Sequence, residues 1–156
     1  MTIAPRLKEY LSNEGIAYDT VSHPRTYTSN EAARAAHVSG KRVVKSVVIH
    51  HELGFFLAVV PATHRINLGT LQDLIGTRLG LAAETEIGEL FDDCDLGAAP
   101  PVGAAYGIDV VLDESLADVP EVYFEGGDHT TLIRASGDAF RLMVKDARRG
   151  RSSQHV

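Results

Sequence analysis

Val43-Val44-Lys45-Ser46-Val47-Val48-Ile49, followed shortly by Phe55-Phe56-Leu57-Ala58-Val59-Val60, is the stretch that decides the fold. Both runs are dense in β-branched and aromatic residues, which suit a pleated and buried surface. Gly54 stands where the chain must turn. Pro61 ends the second run, because it has no N–H to give to a ladder. Together they predict a hairpin at the heart of a sheet. Alternation places Lys45 on the face of Val43, Val47 and Ile49, and Ser46 on the face of Val44 and Val48. Both faces are apolar, as in a barrel or a sheet covered by helices.

The flanking sequence supplies those helices. Over 5–14, Pro5 fits a first helical position, Leu7, Tyr10 and Leu11 share a face, and Gly15 supplies the stop. A strand is predicted over 16–21. Thr28-Ser29-Asn30-Glu31 has the form of a capping box, opening an Ala-rich helix to about Ala36. Asn67 caps a helix carrying Leu68, Leu71, Leu74 and Ile75. A short strand over 78–82 and a short helix over 85–91 precede a Gly/Pro loop over 92–103. Strands follow over 108–112, 119–124 and 131–135, and Ser136 caps a last helix ending near Asp146. The closing Arg-Arg-Gly-Arg-Ser-Ser-Gln-His-Val reads as flexible. With 156 residues, 44% of them hydrophobic, the chain can bury one sizeable core. The expectation is an α+β fold, a mixed barrel-like β-sheet surrounded by helices, as one domain over 1–146 with a flexible basic tail over 147–156.

The formal net charge of -6 argues against a uniformly basic nucleic-acid binder and leaves RNA contact to local patches. None of the 15 basic residues lies between Leu79 and Ile133. They gather instead at Arg34, Lys41, Arg42 and Lys45, and at Lys145, Arg148, Arg149 and Arg151. Either cluster is a solvated face or a groove for a phosphate backbone. Cys94 is the sole cysteine, which forbids an internal disulfide and fits a reducing compartment. The N-terminal stretch is charged and amphipathic, unlike a secretory signal, and no apolar run approaches the roughly 20 residues of a membrane span. A cytoplasmic protein without membrane or DNA partners is expected.

Three places carry chemistry. Lys45 sits in a strand with two apolar faces, where an unpaired ammonium is costly. It either snorkels from an edge strand or meets an anion such as a phosphate. The loop Asp95-Leu96-Gly97-Ala98-Ala99-Pro100-Pro101-Val102-Gly103 is stiffened by prolines and opened by glycines, so a ligand can approach its backbone N–H groups. It reads equally as a rigid connection. Glu125-Gly126-Gly127-Asp128-His129-Thr130-Thr131 joins two strands, with His129 able to donate, accept or transfer a proton. Cys94 lies among Asp92, Asp93 and Asp95, whose charge disfavours a thiolate. His50, His51 and His64 match no metal spacing, and phosphate-binding, dinucleotide and nucleophile-elbow motifs are absent. No metal or cofactor is expected.

Taken in order, these segments resemble the YbaK/prolyl-tRNA synthetase-associated editing domain family. Ser-His-Pro-Arg-Thr-Tyr-Thr-Ser-Asn-Glu-Ala-Ala from Ser22 is similar to the family's His-Pro segment and Glu-Ala-Ala helix. Arg-Val-Val-Lys-Ser-Val-Val-Ile from Arg42 is similar to its lysine-bearing strand. The Gly97 loop and the Gly126-Gly127 hairpin resemble its two glycine loops. The resemblance implies a free-standing deacylase that hydrolyses the ester of a mischarged tRNA, notably tRNA for proline carrying alanine or cysteine. It implies mischarged tRNA as partner, with an aminoacyl-tRNA synthetase as a further one. Lys45, Gly97 and His129 become the catalytic set, with Thr28, Ser46, Ala98, Ala99, Pro100, Gly127 and Asp128 binding substrate. Ser46 stands where alanine-clearing members carry asparagine, whereas His129 is similar to that branch, so the amino acid stays open. A non-catalytic aminoacyl-tRNA-binding module and a hydrolase of another small acyl ester are the alternatives.

Overall fold

In the computed structural model, which describes residues 3–155, ten strands and five α-helices follow in order. Helix α1 (Pro5–Asn13) begins at a proline as expected. Gly15, at φ +64°, turns the chain, and the Ile16 N–H bonds back to the Leu11 carbonyl at 3.0 Å. That turn consumes the start of the expected first strand, so β1 is Asp19–Ser22. Helix α2 (Ser29–Ala35) opens on Thr28, whose hydroxyl accepts from the Glu31 N–H. The central hairpin is β2 (Val43–His51) with β3 (Gly54–Pro61), paired from Val44↔Pro61 to His51↔Gly54. After β4 (His64–Ile66), α3 (Leu68–Ile75) is capped by Asn67. Then come β5 (Gly80–Leu81), α4 (Glu84–Leu90), β6 (Asp109–Asp113), β7 (Glu121–Glu125) and β8 (Thr131–Ser136). Helix α5 (Gly137–Met143) is capped by Ser136.

The main sheet runs β1-β8-β7-β2-β3-β6 and ends on β9 (Arg148–Gly150), with β5 added to β2. Its mixed character and helical cover are as expected. It stays open rather than closing into a barrel, with the polar strands β1 and β9 as its edges. On one face, Leu7 and Leu11 of α1 and Phe140 and Met143 of α5 pack on Val44, Val48 and Phe124. On the other, Ala32 and Ala33 of α2 pack on Val43, Tyr123 and Leu132, and Leu71 of α3 packs on Ile49, Phe56 and Ala58.

The segment expected as a flexible tail is instead folded. β9 lies parallel to β6, and β10 (Ser153–His155) pairs with β4. Asp113 holds the turn between them: it is buried, and its carboxylate accepts from both the N–H and the hydroxyl of Ser152 at 3.0 Å. Burial alone would raise its pKa, but hydrogen bonds from Ser115, Ser152 and Ser153 outweigh that and lower it.

The sheet has one irregularity. Along one edge of β2, the ladder with β7 ends at Val44↔Phe124 and the ladder with β5 begins at Ile49↔Leu81. Between them, residues 45–47 face a gap with no strand partner among the described residues, since the Val48 carbonyl still accepts from the Ala82 N–H at 3.1 Å. The gap falls on the stretch that holds Lys45 and Ser46.

Candidate functional site

The loop after α4 fills the neighbourhood of that gap. The Asp95 N–H donates to the Gly127 carbonyl at 2.8 Å, and the Ala98 N–H closes a turn on the Asp95 carbonyl at 3.0 Å. Gly97 occupies that turn at φ +84°, a conformation that a side chain strains. The Ser46 hydroxyl reaches across the gap and donates to the Ala99 carbonyl at 3.0 Å. The loop is thus fixed at two points, to the β7–β8 hairpin and to β2. A cleft of about 210 Å³ opens between Ser46, Val48, Leu81, Ile87, Gly97 and Ala99. A second cleft, of about 290 Å³, lies at Tyr10, Val110, Met143 and Lys145, where none of the expected catalytic or substrate-binding residues is found.

His129 enters from the hairpin. It is 3% exposed and sits at φ +62°. A Cβ on Gly97 would stand 3.4 Å from its Cε1, about van der Waals contact, so the loop lies close against the ring and the φ of Gly97, rather than space, is what disfavours a side chain there. Its Nε2 lies 2.6 Å from the Leu96 carbonyl. A carbonyl can only accept, so Nε2 carries the proton, which leaves Nδ1 as the acceptor of a neutral ring. Nδ1 is buried and has no hydrogen-bond partner among the described residues. His129 and the Gly97 loop, far apart in sequence, are therefore in contact.

Lys45 is half-buried on the opposite side of β2. Ser46 bonds to the Gly97 loop, Val43 packs under α2 and Val47 beside α3, so alternation turns Lys45 toward the α2/α3 face. Burial lowers its pKa, and the neighbouring Arg65 cation lowers it further. Arg65 lies on β4, which the sequence did not reveal because three residues with no apolar alternation carry no strand signal.

Other expected site residues are committed to the scaffold. Thr28 caps α2, and Pro100 is buried. The Asp128 carboxylate accepts from Thr130 and Thr131 within the turn. Gly127, at φ +125°, faces Ala4 and Cys94 rather than His129, since a Cβ there would meet the Ala4 Cβ at 3.1 Å. Ala98, expected to bind substrate, is buried, and its N–H is engaged by the Asp95 carbonyl. Two features carry no signal in the sequence. Tyr27 is 71% exposed, with its ring centroid 6.1 Å from that of His129. Glu125 is buried, with no partner for either carboxylate oxygen among the described residues.

Cys94 is unsuited to nucleophilic attack. Burial pushes its thiol up to about 12, and its Sγ hydrogen-bonds within a set that includes Asp93 and Tyr106. The deacylation that the resemblance implies should survive Cys94→Ser in full in a single-turnover assay, and a loss beyond about tenfold in a folded variant would restore the thiol to the mechanism. Among the described residues, no group of three His, Cys, Asp or Glu is placed to hold a metal, and no helix is long and apolar enough to cross a membrane.

Comparison with known proteins agrees with this fold. The family model for the aminoacyl-tRNA editing domain matches residues 23–142. A proline–tRNA ligase from Xanthomonas oryzae is 36% identical over 104 residues, covering 65% of this chain and 18% of the ligase. One from Bacillus mycoides is 22% identical over 120 residues, covering 75% of this chain and 21% of the ligase. The chain thus spans about a fifth of the length of these relatives. The crystal structure of a proposed trans-editing enzyme for prolyl tRNA synthetase superposes with a TM-score of 0.84 at 32% identity, covering 97% of this chain and 96% of that one. The matched span holds the β2 gap, the Gly97 loop and the His129 hairpin alike, and the chain belongs to the aminoacyl-tRNA editing domain family.

Proposed function

We propose that this protein is a trans-acting aminoacyl-tRNA deacylase that hydrolyses the ester of a mischarged tRNA, with tRNA for proline carrying a small amino acid such as alanine or cysteine as the substrate class. The observation that carries this reading is the contact of His129 with the Gly97 loop, which leaves Nδ1 as an unused acceptor. The near end-to-end match to the trans-editing protein supports action in trans. The wall of Val48, Leu81 and Ile87 suits a small apolar side chain, and the modest size of the cleft disfavours a large one.

The chemistry is a water attack. The substrate ester carbonyl lies against the Gly97 backbone, which orients it and stabilises the negative charge that forms on its oxygen. A water placed at His129 Nδ1 adds to the carbonyl carbon and gives its proton to Nδ1. Nε2–H stays on the Leu96 carbonyl and holds the resulting imidazolium. Collapse breaks the acyl–oxygen bond, and the proton passes to the departing ribose oxygen of the tRNA. Lys45 and Arg65, two cations close enough to disfavour each other, form the site for a phosphate of the 3′ end. Exposed Tyr27 offers an aromatic face for an unpaired terminal base.

A deacylation panel tests the reading: tRNA for proline charged in turn with alanine, cysteine, serine and proline, beside free aminoacyl esters. Hydrolysis of at least one mischarged species, with the cognate prolyl ester spared, is the expected result. Tight binding with the ester intact throughout would make the protein a binding module. Faster turnover of free esters would make it a general esterase.

A further inference from the structure

Glu125 is the least comfortable residue in the fold. It ends β7, is 4% exposed, and neither carboxylate oxygen has a hydrogen-bond partner among the described residues. A buried carboxyl left in this condition costs stability and calls for a reason. Burial first, then the negative charge of Asp128, pushes its pKa up to about 7. Three further buried polar atoms without partners among the described residues lie close to it in the chain or across the ladder: His129 Nδ1, Thr26 Oγ1 and His23 Nε2. His129 belongs to the same hairpin as Glu125. His23 and Thr26 belong to the segment bonded along that hairpin, through His23 N–H to the Thr130 carbonyl and Thr26 N–H to the His129 carbonyl.

The position of Glu125 is specific. The β2–β7 ladder stops at Val44↔Phe124, so Glu125 is the first β7 residue beyond it and stands level with Lys45 at the mouth of the gap. It shares the α2 side of the sheet with Lys45, because Tyr123 and Val43, two residues back on each strand, pack in the same cluster. A carboxylate held at that point selects a cation. An aminoacyl ester carries one cationic group, the α-ammonium, on the atom next to the carbonyl that the Gly97 loop and His129 would hold.

Resting on the deacylase reading above, we propose that Glu125 receives the α-ammonium of the aminoacyl group and so restricts the site to substrates with a free amine. N-acylated aminoacyl-tRNA, peptidyl-tRNA included, is then refused for want of the charge and the N–H donors that Glu125 lacks partners for. The ammonium fixes the acyl group from one side and His129 approaches its carbonyl from the other, which leaves Thr26 to share the amine or the water.

The test uses a non-hydrolysable probe, 3′-alanylamido-3′-deoxyadenosine, and its N-acetyl counterpart, with binding measured by calorimetry on the full chain and on Glu125→Gln. The wild type should bind the free amine at least about tenfold more tightly than the acetylated form, and Glu125→Gln should lose most of that preference. The glutamine is nearly isosteric and removes a buried charge, so the melting temperature should hold or rise. An equal preference in both proteins, or none in the wild type, overturns the proposal. Because this readout does not need turnover, it separates from the deacylation panel: an inactive protein that still discriminates the amine through Glu125 sinks the deacylase reading alone. An active one with no amine preference sinks this inference alone.

Discussion

Lys45→Ala should reduce single-turnover deacylation of a mischarged tRNA by about 10²-fold or more while leaving the fold intact. The ammonium is half-buried, and its pKa is lowered by burial and by Arg65. A lysine whose folded pKa lies below its unfolded value opposes folding at every pH where the unfolded chain is protonated, which includes neutrality. Removing it relieves that opposition, so the melting temperature should hold or rise as activity falls. Lys45→Met, which keeps the apolar stem and loses the charge, should behave alike. Lys45→Arg should restore part of the affinity, since a phosphate accepts either cation, but not the full rate, because the guanidinium places its donors differently. Arg65→Ala should weaken tRNA binding and leave the chemical step unchanged. Full activity in a folded Lys45→Met would remove the phosphate assignment.

This lysine is legible in the sequence and several of its neighbours are not, because the signals that can be read are local. The hairpin of β2 and β3 announces itself within some twenty residues, by alternation, by Gly54 and by Pro61. Thr28, Asn67 and Ser136 announce three helix starts through side chains that reach only three residues onward, and all three accept the expected N–H. The last strands carry no such sign. Arg148-Arg149-Gly150 and Ser153-Gln154-His155 are polar, and they are ordered by partners far off in sequence, β6 with its buried Asp113 and the short β4. Glu125 is hidden for a related reason. In an alternating strand a carboxylate reads as the wet face, and only the folded chain around it makes it dry. The contact of His129 with Gly97 likewise lies between two loops, where neither period nor propensity speaks. Family resemblance points to both residues. The structure adds that His129 meets the Gly97 loop, and it keeps Ser46 and Lys45 on the opposite faces that alternation gave them.

His129 is where the chemistry itself can be dissected, because its two nitrogens have separate duties. Nε2–H holds the Leu96 carbonyl at 2.6 Å, and Nδ1 has no partner among the described residues. Asparagine places a side-chain polar atom about where Nδ1 stands, whereas glutamine reaches about as far as Nε2. Asparagine also tolerates the φ of +62° better than most residues, so its backbone is little strained. His129→Ala should therefore lower the single-turnover rate by about 10²–10³-fold, the range expected for a lost positioned base or water-binding group, with tRNA affinity changed far less. His129→Gln keeps the loop anchor and should remain nearly as slow as alanine. His129→Asn should recover part of the rate if Nδ1 acts by holding a water or the amine, and none of it if Nδ1 must take up a proton, because an amide cannot. The rate of Asn relative to Gln thus reads hydrogen bonding against proton transfer at one atom. Equal rates for wild type and His129→Ala, measured on folded protein with binding determined separately, would exclude the residue from the reaction and return the water to Gly97 and the substrate.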